Sequence, residues 1–220
     1  MRDCVLLVDL FNDFRHEDGD ILLACFRERF PSLQALIQTS RERATPIIYA
    51  NDSFGIFDGD ARRIVERARG GQAGDLDEVI VPRREDRFVV KPRYSAFDHT
   101  PLALILDDLG IERILIAGMS TEGCVAQTAI GGRENGFKVT VISSACCTVD
   151  LELEEIALAY LERVVGVKVA ASLKDAVANE ERTTAHPAQP SSSARASSEP
   201  GRLPRVDRAE SPNEGALGAG

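Results

Sequence analysis

Residues 111–128 read Ile-Glu-Arg-Ile-Leu-Ile-Ala-Gly-Met-Ser-Thr-Glu-Gly-Cys-Val-Ala-Gln-Thr, and this stretch decides the fold. Residues 114–117 are a short apolar run without polar alternation, the pattern of a strand buried on both faces of a parallel sheet. Gly118 breaks the run. Thr121 and Glu122 then have the character of a helix start, with Thr121 as the N-cap, which places Cys124 in the first turn. A helix N-terminus carries partial positive charge and free N–H groups, and both favour a thiolate. Cys124 is therefore expected to ionise below the free-thiol value of about 8.5 and to be alkylated ahead of Cys4, Cys25, Cys146 and Cys147. Taken alone, a cysteine in this position reads first as a small buried hydrophobe. The rest of the chain has to decide.

Outward from that centre the same alternation repeats. Residues 4–8 form a buried-type strand ended by Asp9, residues 47–50 a second, and residues 87–90 a third, ended by Lys91 and Pro92. Residues 139–142 and the short run 167–169 complete the set. Helical spacing fills the intervals. In residues 21–43, Leu33, Leu36 and Ile37 form an i, i+3, i+4 stripe and Pro31 suits a first-turn position. Residues 61–69 read as a polar helix, and Gly70-Gly71 as the start of a mobile connection. Residues 101–109 read as a helix with Gly110 at C′. The helix after Cys124 is expected to kink or end early at Gly131-Gly132, since each glycine costs about 1 kcal/mol against alanine. Residues 151–164 and 173–179 are the last helices. Strands alternating with helices predict an α/β fold of three layers, α-β-α, around a central, mainly parallel six-stranded sheet of Rossmann-like type. Residues 1–182 make one domain. From 183 to 220, Ser, Pro, Ala, Gly and Arg dominate; such a tail cannot bury enough apolar surface to offset its ordering entropy and is expected to be disordered.

Composition narrows the partners. The chain of 220 residues has a formal net charge of −9, which disfavours nucleic acid and anionic membrane surfaces. Its apolar runs are far shorter than the ~20 residues of a membrane span. The sequence enters a strand directly, without the pattern of a signal peptide. The five cysteines show no metal-type spacing, and Cys146 and Cys147 are adjacent, which fits a reducing cytoplasm.

In open parallel sheets chemistry collects at the C-terminal ends of the strands. There the sequence puts Asp9, Asp52, Lys91 and, beyond the fourth strand, Cys124. Alone, Asp9 reads as a turn residue and Lys91 as a solvated charge. Together a carboxylate, an ammonium and a thiol supply a base, a positive charge and a nucleophile. Other α/β motifs are missing: Phe11 stands where an aspartyl phosphatase needs its second Asp, and no Gly-x-Gly-x-x-Gly, P-loop or Gly-x-Ser-x-Gly elbow is present.

The stretches Leu-Leu-Val-Asp-Leu-Phe-Asn-Asp-Phe (6–14), Tyr-Ala-Asn-Asp-Ser-Phe-Gly (49–55), Lys-Pro-Arg-Tyr-Ser-Ala-Phe (91–97) and Gly-Met-Ser-Thr-Glu-Gly-Cys-Val (118–125) resemble those of the isochorismatase-like cysteine hydrolase superfamily, which includes nicotinamidases, N-carbamoylsarcosine amidases and isochorismatases. The resemblance runs from about residue 4 to 176. It implies a catalytic triad of Asp9, Lys91 and Cys124, a cis peptide between Met119 and Ser120, and an oxyanion hole made by the backbone N–H groups of Ser120 and Cys124. It also implies a homo-oligomer, dimer or tetramer, and a small-molecule substrate. Phe11, Phe54 and Tyr94 are candidate pocket walls; Asn12 and Asp13 read as residues that cap the loop. Metal-dependent nicotinamidases carry Asp-x-His after the second strand, where this chain has Asp52, Ser53 and Phe54. No metal and no other cofactor is therefore expected. Isochorismatases usually lack the cysteine. Its retention points to a metal-independent amidase acting on a small amide or related C–N bond through a Cys124 thioester. The alternatives are a vinyl-ether hydrolase in which Cys124 is a bystander, and a non-catalytic binding subunit that keeps the pocket.

Overall fold

The computed structural model describes residues 1–56 and 60–177. The elements follow in the order β1 (Asp3–Val8), α1 (Gly19–Glu42), β2 (Ile47–Asp52), α2 (Ala61–Arg69), α3 (Gly74–Ile80), β3 (Arg87–Lys91), α4 (Leu102–Asp108), β4 (Arg113–Met119), α5 (Ala126–Glu134), β5 (Lys138–Cys147), α6 (Leu151–Tyr160) and β6 (Lys168–Ala170). Wide turns at Thr121–Val125 and Leu161–Val165 lead into α5 and continue α6. Residues 173–177 are helical; the rest of the expected last helix, and the tail from 183, lie outside the described residues.

Among the described residues the sheet has six strands in the order β3-β2-β1-β4-β5-β6, every pair parallel. Alternation along β1 explains the layers. Val5 and Leu7 point into one core with Leu22, Phe26, Phe30 and Leu33 of α1 and Ile64 of α2. Cys4, Leu6 and Val8 point into the other, with Leu102 and Leu106 of α4 and Ala129 of α5. A strand with both faces covered has no polar position to spare, hence its unbroken apolar run.

Four local expectations are corrected. Pro31 lies inside α1 rather than in its first turn; the twenty-four-residue helix is held by its buried face, which outweighs one lost N–H. The connection opened by Gly70-Gly71 contains α3. Strand β5 runs on to Cys147, because its register against β4 shifts between Ile116 and Gly118 and lets the small residues after Ile142 continue the ladder. The Gly131-Gly132 pair does not end α5. A Cβ at Gly131 would lie 2.8 Å from Ser95 Oγ and one at Gly132 2.9 Å from Val139 Cγ2, so their lack of a side chain lets the helix lie close on the sheet.

Asp77 of α3 is fully buried, and neither carboxyl oxygen has a hydrogen-bond partner among the described residues. Burial, aided by Asp75, pushes its carboxyl up to about 7. A folded-state value above the unfolded 3.8 means that ionisation works against folding: stability falls as pH rises from 3.8 towards about 7 and stays lower above it. Asp77→Asn is expected to stabilise the protein by about 1–3 kcal/mol near pH 8 and much less near pH 4. Urea unfolding at the two pH values checks this; equal shifts at both would contradict it.

Candidate active site

Strand β1 sits between β2 and β4, with Val8 level with Ala50 on one side and Gly118 on the other. The chain runs outward from β1 in both directions, so the β1/β4 junction is the topological switch point at which open α/β sheets form their crevice. Asp9 and the turn carrying Cys124 straddle it. The approach is close: Gly118 has φ +131, and a Cβ there would stand 2.0 Å from the Val8 carbonyl oxygen. Only glycine fits.

Asp9 follows β1 with φ 51, a conformation that a short polar residue tolerates and that clusters at functional sites. Its N–H donates to the Ala50 carbonyl at 2.9 Å, and its Oδ1 accepts the Asp52 N–H at 2.6 Å. Lys91 ends β3, opposite Asp52 in the ladder. Its side chain is 1% exposed, with Nζ 2.7 Å from Asp9 Oδ2. The same ammonium donates to Cys124 Sγ at 3.3 Å and to the Arg93 carbonyl at 3.1 Å. Its three protons thus have three acceptors, which is what a buried ammonium requires. Asp9 and Cys124 thus share Lys91 as their common partner. The structure therefore brings Asp9, Lys91 and Cys124 into one cluster.

Cys124 does not sit in the first turn of a regular helix. Gly123 (φ −105, ψ −106) interrupts the turn at Thr121–Val125, and α5 proper begins at Ala126. The Gly123 and Val125 N–H groups both donate to the Ser120 carbonyl, at 3.2 and 3.1 Å. Thr121 is not an N-cap: its hydroxyl lies 3.1 Å from the Cys147 carbonyl oxygen and 2.7 Å from Glu154 Oε1. The Met119–Ser120 peptide bond is cis.

Electrostatics reverse the expected acidity of Cys124. Burial first, and then the Asp9 carboxylate, push its thiol up to about 12, against the pull of Lys91. The helix end and Lys91 favour a thiolate, but desolvation and Asp9 outweigh both. Burial also raises the Asp9 carboxyl above its ordinary 3.8, opposed by Lys91, the thiol and the Asp52 N–H. For Lys91 burial works against the charge, but Asp9 and Cys124 overcome it and hold the ammonium above 10.5. Burial thus keeps the Cys124 thiol neutral, while Asp9 and Cys124 keep Lys91 charged. The acidic thiol of the chain is Cys25, not Cys124.

Around the cluster, the three aromatic candidates separate. Phe11 is fully buried, its ring 5.7 Å from Tyr49 and 6.2 Å from Phe88, and it belongs to the core. Phe54 is half-buried beneath the Arg67 guanidinium, 4.7 Å from the ring centroid. Tyr94 is 69% exposed. Asn12 and Asp13 hold the loop after β1, accepting the N–H groups of Phe14 and Arg15, and Asp13 also takes Arg67 at 2.8 Å. Asn51 was not singled out by sequence, yet its side chain grips the Phe11 backbone at both ends, accepting its N–H at 2.9 Å and donating to its carbonyl at 3.0 Å. Its position just before Asp52, inside the strand-end motif, was the available signal.

Asp52, Ser53 and Phe54, at the end of β2 and just after it, do not fit a metal. Asp52 Oδ1 is engaged by the Phe54 N–H at 2.6 Å, Phe54 supplies no donor, and among the described residues no three His, Cys, Asp or Glu side chains converge at ligand spacing.

Fold and site together define a class: a three-layer α/β protein of isochorismatase-like architecture, with an Asp-Lys-Cys cluster at its switch point. The Isochorismatase domain family model matches residues 3–172, and the chain belongs to the isochorismatase family. An uncharacterised isochorismatase family protein of Bacillus subtilis (strain 168) is 28% identical over 165 residues, covering 75% of this chain and 91% of that one. The crystal structure of nicotinamidase from the same species superposes with a TM-score of 0.63 at 27% identity, covering 77% of this chain and 99% of that one. That of N-carbamoylsarcosine amidase from Thermoplasma acidophilum superposes with a TM-score of 0.58 at 25% identity, covering 77% and 95%. No helix among the described residues is long and apolar enough to cross a membrane.

Proposed function

We propose that the chain is a metal-independent cysteine hydrolase that cleaves a small amide or related C–N bond through a thioester on Cys124. The observation that carries the reading is the position of Lys91 Nζ, 2.7 Å from Asp9 Oδ2 and 3.3 Å from Cys124 Sγ in a buried site. Two amidase structures among its relatives support it. Asp9 takes the thiol proton as sulfur attacks the carbonyl carbon, so no free thiolate has to exist beforehand. Lys91 keeps Asp9 in place and balances the negative charge that moves onto sulfur. The N–H groups of Ser120 and Cys124 receive the oxyanion, a contribution of about 3–4 kcal/mol per donor. Asp9 then returns the proton to the leaving amine. Water, deprotonated by Asp9, releases the acid and restores the thiol.

A screen of small primary amides and ureides for ammonia release tests the reading; hydrolysis of an enol ether with no amide turned over would favour the vinyl-ether reaction. Dialysis against a strong chelator is expected to leave the rate unchanged within error, because Phe54 offers no ligand. A loss restored by one divalent metal would contradict the metal-independent reading. Activity is expected to fall at acid pH as Asp9 gains its proton, with a midpoint above the ordinary carboxylate value of 3.8.

The reading includes a homo-oligomer in the cytoplasm. Leu153, Ile156 and Tyr160 of α6, with Val164 beyond it, form an exposed apolar stripe at helical spacing, of the kind a second subunit covers. All five cysteines are free thiols, as a reducing compartment keeps them.

A further inference from the structure

Away from the Asp9–Lys91–Cys124 cluster, a second pair of thiols has no part in the proposed reaction. Cys25 lies on α1, half-buried, and packs against the core that contains Cys147, the last residue of β5. The Thr148 N–H donates to Cys25 Sγ at 3.4 Å, which sets that sulfur beside the end of β5. Cys147, the residue before Thr148, is therefore brought beside Cys25, and the two thiols shift each other's acidity. One turn along α1, the Arg29 guanidinium is fixed by Glu154, at 2.6 and 2.7 Å, and by the Cys146 carbonyl at 2.7 Å.

We propose that Cys25 and Cys147 form a redox-active dithiol that closes to a disulfide when the protein meets a hydroperoxide. The division of labour follows from the surroundings. The neighbouring Cys147 thiol, the Thr148 N–H and the charge of Arg29 bring the Cys25 thiol down to about 6 against its partial burial. Cys25 is the half-exposed member and meets the oxidant as thiolate. Cys147 is buried and keeps its proton, its thiol held well above the ordinary value by the neighbouring Cys25 and by burial. The Cys25 thiolate attacks the distal peroxide oxygen, the O–O bond breaks, and the alcohol leaves with a proton from solvent; sulfur is oxidised to a sulfenic acid. Cys147 sulfur then attacks that sulfur, and hydroxide leaves with the Cys147 proton as water. Two thiols and one hydroperoxide give one disulfide, one alcohol and one water. Cys146 is not the partner: it is fully buried, and its thiol bonds to the Ile142 carbonyl at 3.3 Å.

The pair also reaches the candidate site. Cys147 is level with Met119 in the ladder, and its carbonyl oxygen lies 3.1 Å from the hydroxyl of Thr121, at the start of the turn that carries Cys124. Thr148 and Val149 grip Glu122 of the same turn, at 2.8 and 3.5 Å. Drawing Cys147 towards α1 therefore loads the segment that positions the nucleophile.

The full-length reduced protein, treated with a slight excess of hydrogen peroxide and then with N-ethylmaleimide in denaturant, is the test. The expected result is three maleimides rather than five on the five-cysteine chain, a linked peptide pair containing Cys25 and Cys147, and full reversal by dithiothreitol. Under the same treatment Cys25→Ser, or Cys25→Ala should the serine variant fold poorly, is expected to leave Cys147 free to take maleimide. Five maleimides, or a link through Cys146 or Cys124, would overturn the proposal. Amide hydrogen exchange of residues 119–125 in oxidised and reduced protein tests the connection to the site. A change in protection absent from the Cys25→Ser control is expected, and unchanged exchange would overturn that connection. Neither readout needs a substrate, so failure here and failure of the hydrolase reading are distinguishable.

Discussion

Cys124→Ala is expected to lower the turnover of any amide substrate by about four orders of magnitude or more, because the covalent route closes when the nucleophile is removed. The variant should keep its melting temperature close to the parent's. Only one small, half-buried side chain is lost, and Lys91, 2.7 Å from Asp9 in the parent, keeps its carboxylate partner and the Arg93 carbonyl. Activity and stability thus separate, which a misfolded variant would not allow. Comparable turnover by Cys124→Ala and parent would make the thiol a bystander and move the enol-ether reaction ahead.

The second large effect belongs to Lys91, and its signature is a pH dependence of stability. Lys91→Met keeps the stem and removes the charge, leaving the Asp9 carboxylate buried without its partner. Breaking a buried ion pair from one side costs about 3–5 kcal/mol. The sign can be worked out from Asp9. Lys91 is the strongest influence lowering its carboxyl, which burial already raises. Without Lys91 the folded-state value climbs further above the unfolded 3.8, so the variant's stability falls as pH rises through that interval. The deficit relative to the parent should therefore be largest at high pH and shrink as pH falls towards the unfolded 3.8, as Asp9 gains its proton in both states. A deficit equal at all pH values would mean that Lys91 acts only by packing. Adding Asp9→Asn to Lys91→Met should recover much of the stability and none of the activity, a coupling that a double-mutant cycle measures.

The parts of the fold written in local patterns were legible. The apolar runs before Asp9, Asp52 and Lys91 gave strands in the right places, and the alternation with helices gave the layers. Legibility failed where tertiary contacts override local preference. Gly131-Gly132 reads as a weak point in a helix, yet close packing against Ser95 and Val139 is why those glycines are there. Ser143 and Ser144 read as the end of a strand, but a register shift carries β5 past them. The candidate site divides in the same way. Residue types and their positions at strand ends were visible; their ionisation was not, because burial is a property of everything around the group. Cys124 rose where a rise was not expected. The acidity of Cys25 had no local signal at all, since the N–H that bonds its sulfur comes from a residue 123 positions away.

The central claim is a covalent bond between substrate acyl group and Cys124. Its most direct test is the intact mass of the full-length protein, quenched in acid during turnover of an amide found by the ammonia screen, followed by peptide mapping. The expected result is a mass increase equal to the acyl fragment, on the peptide containing Cys124, that hydroxylamine removes as the hydroxamate and that is absent from Cys124→Ala. Sustained ammonia release with no adduct on Cys124, together with turnover by Cys124→Ala, would contradict it.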